Sequence, residues 1–233
     1  MTSTIPALGT RTAEGSALQA VLLDMDGTLV DTEGFWWDAE VDIFARLGHT
    51  LHDDHREVVV GGPMSRSAAY LIEVTGADIT LPELSGLLNE RFEELVGRGV
   101  PLMPGAARLL AELAAHGVPT ALVSASHRRV IDRILESIGA GHFTLTLGGD
   151  ESARTKPHPD PYLLAAAKLG VDPARCAVIE DTATGVAAAE AAGCQVVAVP
   201  SVVPIEAAPG RTVVHSLREV DLRFLRGLIT RMH

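Results

Sequence analysis

Lysine is nearly missing from this 233-residue chain: Lys156 and Lys168 are the only two among 19 basic residues. Acidic residues number 30, so the net charge is −11 and the pI lies near 5.2. No broad basic face is available for nucleic acid or an anionic membrane, and neither is expected as a partner. Aromatic side chains make up 4% of the residues, so the interior must be built from aliphatic side chains and alanine. The two cysteines, Cys176 and Cys194, have no metal-ligand spacing and fall in apolar stretches, which points to buried reduced thiols. No apolar run approaches the ~18–20 residues needed to cross a bilayer. The opening stretch MTSTIPALGTRTAEGS lacks a basic region followed by an apolar one, and reads as a flexible tail over residues 1–16 rather than a secretion leader. These absences point to a monomer in the cytoplasm. What is present, a hydrophobic content of 47%, suits one α/β core with a modest second domain.

Short apolar runs at 20–24, 119–124, 143–147, 176–180, 195–199 and 212–214 predict strands. Most are too apolar to keep a solvent face, as in a parallel sheet covered on both sides. Helical patterns lie between them at 104–116, 127–138 with Ser126 as N-cap, 161–169 and 183–192. Strand alternating with helix predicts an α/β, Rossmann-like doubly wound domain. More than ninety residues separate the first two strands, far beyond a normal crossover. Within them Trp36, Ala39, Ile43 and Leu47 recur at helical spacing, Ser65 is placed to cap 66–74, and Thr80-Leu-Pro-Glu83 is a capping-box pattern ahead of Leu84, Leu88, Phe92 and Leu95. The domain expectation is therefore a helical insert over 34–100, with 17–33 and 101–233 forming the core.

The chemistry gathers where strands end. Asp24 and Asp26 stand one residue apart in LLDMDGTLVDT, where like charges repel and raise each other's pKa unless a cation or a proton intervenes. Ser124 ends TALVS, and Glu180-Asp181 ends CAVIED. Lys156 lies in the loop before a Pro-initiated helix. In a parallel sheet these positions share the carboxyl edge, where ligands bind. Asp24 and Asp181 offer the hard oxygen ligands that Mg²⁺ prefers. Mg²⁺, Lys156, the Ser124 hydroxyl and loop N–H groups would neutralise a phosphate. Gly27 allows close backbone approach, and Thr28 is placed to orient Asp24.

DMDGTLVDT, VSAS, KPHPDPY and EDTATGV, in this order and spacing, resemble the four motifs of the haloacid dehalogenase-like phosphohydrolase superfamily, and the insert resembles its helical class I cap. The resemblance implies Asp24 as nucleophile and Asp26 as general acid and base, with an aspartyl-phosphate intermediate. Gly27, Thr28, Ser124, Ala125 and Lys156 would bind phosphate. Asp24, Asp26, Glu180 and Asp181 would form the Mg²⁺ site. The substrate implied is a small phosphorylated metabolite, a sugar or polyol phosphate.

Several positions have competing readings. Arg66 is the cap-side candidate for gripping substrate, or a solvated arginine at a helix start. Of Trp36 and Trp37, one is expected to pack the cap and one to touch substrate. Arg128 and Arg129 read as surface residues, and His158 has no assigned role. Glu180-Asp181 could instead cap the following helix. A β-phosphoglucomutase-like mutase is the competing activity, but Trp36 replaces that branch's histidine and residues 34–100 hold no lysine. A non-catalytic phosphometabolite binder or receiver-like domain is the other alternative, and it would have no use for Asp26.

Overall fold

The structure, a computed structural model, describes residues 17–59 and 64–230. The tail expected over 1–16 lies outside the described residues. Six strands form one sheet: β1 (Ala20–Leu23), β2 (Thr120–Val123), β3 (Leu145–Leu147), β4 (Cys176–Glu180), β5 (Gln195–Ala198) and β6 (Arg211–Val213). Their order is β3-β2-β1-β4-β5-β6, and every pairing is parallel. All six expected strands form, with ends shifted by no more than two residues.

Alternation explains why these strands are apolar throughout. Val21, Leu23, Leu122, Ala177, Ile179 and Val197 face one cluster, whereas Ala20, Leu22, Ala121, Val123, Val178 and Val196 face the other. Successive side chains point to opposite faces of a strand, so a sheet covered on both sides needs an apolar residue at nearly every position. The first cluster is closed by helices α5 (Ala106–Ala115), α6 (Arg128–Ile138) and α9 (Leu222–Thr230). The second is closed by α7 (Asp160–Leu169) and α8 (Ala183–Ala191). Cys176 and Cys194 are free and buried in that second cluster, and burial pushes both thiols up to about 12.

Between β1 and β2 lie α1 (Glu33–Arg46), α2 (Asp53–Val59), α3 (Met64–Thr75) and α4 (Leu81–Val96). Ile43, Phe44, Leu71, Leu84 and Leu88 form a cluster of their own. Ala39, Phe92, Leu95 and Val96 instead join the sheet-side cluster, seating the insert on the core. The capping box of Thr80 and Glu83 is present. Ser65 does not precede its helix, because α3 already begins at Met64. Two helices were not foreseen: α2, whose Asp-Asp-His-Arg start is polar, and α9, whose buried Leu222, Leu225, Leu228 and Ile229 make a short apolar stripe. Among the described residues no helix is long and apolar enough to cross a membrane.

Candidate active site

The sheet order reverses at β1, flanked by β2 on one side and β4 on the other, and the crevice beyond such a switch point is where ligands bind. Asp24 follows β1, Ser124 follows β2, and Glu180-Asp181 closes β4, so their side chains enter that crevice from three adjacent strands. Lys156 enters from the loop between β3 and α7. Its Nζ donates to Asp24 Oδ1 at 2.6 Å, to Glu180 Oε1 at 2.6 Å and to the Val123 carbonyl at 2.9 Å. All three ammonium hydrogens are thereby used.

Glu180 is fully buried. Its Oε1 also accepts from the Tyr162 hydroxyl at 2.8 Å, and its Oε2 accepts from the N–H groups of Asp181 and Thr182 and from the Thr182 hydroxyl. It does not cap α8. Thr182 does, accepting from the Gly185 N–H at 3.1 Å. Asp181 accepts from Thr28 at 3.2 Å and from Ser201 at 2.6 Å. The hydroxyl of Thr28 therefore orients Asp181, not Asp24. At Gly27, φ is +80° and a Cβ would lie 2.1 Å from Asp181 Oδ2, so both conformation and space require glycine.

Asp26 is held separately. Its Oδ1 accepts from Thr32 at 2.9 Å, and its Oδ2 accepts from Ser124 at 3.2 Å and Ser126 at 2.8 Å. Ser126 is not the expected N-cap: α6 is preceded by His127, with no side-chain cap, and the Ser126 hydroxyl is committed to Asp26. Ala125 is exposed on the same loop, its carbonyl 2.2 Å from where a Cβ on Gly149 would lie.

Charge balance describes what the site can hold. Oxygens of Asp24, Glu180 and Asp181 all lie within 4.8 Å of one another. One ammonium against three carboxylates leaves two negative charges in excess, the deficit a divalent cation offsets. Burial pushes the Asp24 carboxyl well above its usual range; Glu180 and Asp181 add to this, while Lys156 opposes it. Burial, with Glu180 nearby, also raises Asp181 to about 6. Burial alone would lower Lys156, yet the carboxylates of Asp24 and Glu180 outweigh it and hold the ammonium well above its ordinary value. Asp26 is raised by burial, against the three hydroxyls that stabilise its ionised form. A hard cation with oxygen ligands fits this donor set.

The insert contributes differently. Trp36 stacks on Phe92 with ring centroids 3.8 Å apart, and Trp37 packs against the insert's own cluster, so both rings have packing roles. Arg66 is exposed on α3 and lines a depression with Val58, Ser67 and Tyr70, none of which belongs to the carboxylate cluster. Arg128 is not a plain surface residue. Its guanidinium ties Thr146 of β3 to Glu151 and Asp132.

Thr32, Tyr162, Gly185 and Ser201 were not singled out from the sequence, and Ser126 was read only as an N-cap. Tyr162 and Gly185 lie inside the motifs KPHPDPY and EDTATGV, which is the only signal they carried. Ser201, in the loop after β5, carried none.

A family model for haloacid dehalogenase-like hydrolases matches residues 18–193. A bifunctional riboflavin kinase/FMN phosphatase from Arabidopsis thaliana is 37% identical over 187 residues, covering 78% of this chain. The chain spans about half of that protein, as the match covers 48% of its length. Hexitol phosphatase B from Escherichia coli K12 is 30% identical over 190 residues, covering 78% of this chain and 83% of that protein. Among solved structures, an Asp-to-Asn mutant of CbbY from Rhodobacter sphaeroides in complex with xylulose-(1,5)bisphosphate superposes with a TM-score of 0.76 at 27% identity, covering 89% of this chain and 99% of that one.

Proposed function

Since the chain belongs to the haloacid dehalogenase-like hydrolase family, we propose that it is a Mg²⁺-dependent phosphomonoester hydrolase acting on a small sugar or polyol phosphate. One observation carries the reading: the two aspartates of DMDGT are held apart and in different ways. Asp24 is fixed through Oδ1 by Lys156, and its Oδ2 accepts no hydrogen bond among the described residues. Asp26 is held by three hydroxyls.

In the first step Asp24 Oδ2 attacks phosphorus, the bond to the leaving oxygen breaks, and the proton on Asp26 passes to that oxygen. Burial biases Asp26 towards the protonated form this step requires. In the second step the Asp26 carboxylate takes a proton from water as the water oxygen attacks the aspartyl-phosphate, returning Asp24 as a carboxylate and releasing phosphate. A Mg²⁺ ion held by Asp24, Asp181 and the main-chain carbonyl of Asp26 would supply positive charge to the phosphoryl oxygens. Glu180, whose oxygens already accept five hydrogen bonds, supports that site chiefly by holding Lys156. Lys156, the Ser124 hydroxyl and the N–H groups of Thr28 and Ala125 would face the same phosphoryl oxygens, whereas the Gly27 N–H is already donated to the Val30 carbonyl at 2.9 Å.

Residues 17–33 and 101–233 form the catalytic core in this reading. The helices of 34–100 form a cap that closes over the leaving group and excludes water, with Arg66 as its candidate contact, since Trp36 is stacked on Phe92. The substrate class is supported by the names of hexitol phosphatase B and of the xylulose bisphosphate complex. Trp36, committed to Phe92, and the lack of lysine in the insert favour hydrolysis over a mutase. Asp24→Asn is the test: it should keep the fold and release no phosphate from p-nitrophenyl phosphate with Mg²⁺, and near-normal turnover would refute the assignment.

A further inference from the structure

Glu40 stands in the middle of the buried face of α1 and does nothing for the fold that can be named. It is 5% exposed, and among the described residues its carboxyl has neither a hydrogen bond nor an ion pair. At 3.6 residues per turn it falls on the stripe that carries Trp36, Trp37, Ile43 and Phe44, all of them engaged in packing. A carboxyl in such a stripe costs stability when it has no partner. The other buried acids, Asp24, Glu180 and Asp181, are all hydrogen-bonded.

One observation says that the Glu40 carboxyl is not sealed off, and another relates it to the site. Every side-chain nitrogen or oxygen among the described residues that is cut off from solvent has a hydrogen-bond partner. The Glu40 carboxyl has none, so its oxygens keep some contact with solvent although the residue is 5% exposed. Glu33, two turns earlier on the same face, acts on Glu40 through its charge. Glu33 directly follows Thr32, whose hydroxyl holds Asp26. The stripe thus runs from the catalytic aspartates to Glu40, with ~10 Å of helix between positions 33 and 40.

We infer that Glu40 is a specificity-determining residue whose carboxyl hydrogen-bonds the hydroxyl groups at the far end of a polyhydroxylated leaving group. The inference rests on the hydrolase reading above and deepens it. A phosphoryl group at Asp24 and a contact at Glu40 are bridged only by a substrate several carbons long. Burial together with Glu33 raises Glu40 to about 7, so near neutrality the group is present in both forms, one accepting hydrogen bonds from hydroxyls and one also donating to them. A site built to hydrogen-bond hydroxyls rejects analogues that lack them, because its own polar group is then left unpaired.

The test compares Glu40→Leu and Glu40→Gln with the parent on sorbitol 6-phosphate, glucose 6-phosphate, ethyl phosphate, phosphoethanolamine and p-nitrophenyl phosphate, with Mg²⁺ present. Glu40→Leu should lose about 10- to 100-fold in kcat/KM on the better polyhydroxylated substrate, the loss expected for one or two hydrogen bonds to a charged group. It should leave p-nitrophenyl phosphate and ethyl phosphate unchanged. Glu40→Gln, which still donates and accepts, should recover most of that loss. An equal loss on every substrate, no loss on any, or a loss confined to the amine phosphoethanolamine overturns the inference. A parent enzyme that hydrolyses p-nitrophenyl phosphate but does not prefer polyhydroxylated esters to ethyl phosphate also overturns it, while leaving the hydrolase reading intact. A parent inactive on all five removes both.

Discussion

Gly185 stands directly against the carboxylate of Glu180: a Cβ at position 185 would lie 1.8 Å from Oε1. That oxygen also accepts from Lys156 and Tyr162, so the first turn of α8 packs onto the anchor of the site. Gly185→Ala should cost roughly 1–3 kcal/mol of stability, as overpacking does. Its effect on turnover should be larger, because a displaced Glu180 releases Lys156. Urea denaturation and phosphate release measure the two together, and parent-like values in both would contradict the contact.

Lys156 and Asp24 should respond in opposite ways to neutralisation. Lys156→Met leaves Glu180 and Asp24 buried without their cation, and breaking a buried pair from one side costs ~3–5 kcal/mol. Asp24→Asn removes one of three crowded carboxylates and should leave stability equal or higher. Both variants should be inactive. Equal destabilisation of the two by urea would mean that the carboxylates do not repel as described.

The parts legible in the sequence were those that local pattern controls. Strands buried on both faces are continuous apolar runs, and Asp24, Ser124 and Glu180-Asp181 stood out because each ends one. What stayed hidden depends on which distant groups meet. Ser126 sits one residue before its helix's N-cap and reads as a cap; only the approach of β1 and β2 brings its hydroxyl to Asp26. Thr28 looked placed to serve its neighbour Asp24, yet its partner is Asp181, 153 positions away. Ser201 belongs to no motif, and Glu40 was lost in a helix whose apolar spacing it interrupts.

Ser126→Ala should move a pH profile in a known direction. The hydroxyls of Ser126, Thr32 and Ser124 each stabilise ionised Asp26 against the upward pull of burial. Removing the Ser126 donor leaves Asp26 higher still. The first step needs that proton, so kcat/KM falls as pH rises through the Asp26 pKa, and in Ser126→Ala the fall should come at higher pH. A limb that stays in place or moves down would detach Asp26 from proton transfer.

Mg²⁺ should raise the melting temperature in proportion to the logarithm of its concentration once above its Kd, since it binds only the folded state. EDTA should reverse the shift and stop phosphate release. Asp181→Asn should keep the fold but respond to Mg²⁺ only at much higher concentration, having lost a ligand. An unchanged response in that variant would place the ion elsewhere.

Glu40 should leave a mark on stability that is independent of any substrate. Burial, then the charge of Glu33, raises its folded-state pKa from 4.5 to about 7. Below pH 4.5 the group is protonated in both folded and unfolded chains. As pH climbs from there, the unfolded chain gives up the proton first, so the fold loses stability until Glu40 itself ionises near 7. The loss is at most about 3 kcal/mol for a shift of this size. Glu40→Leu has no proton to lose, so its stability relative to the parent should improve steadily between pH 4.5 and 7 and level off above. Urea midpoints in EDTA at pH 4.5, 6 and 7.5 test this, and a difference that stays constant across the three would show that Glu40 is ionised in the fold throughout.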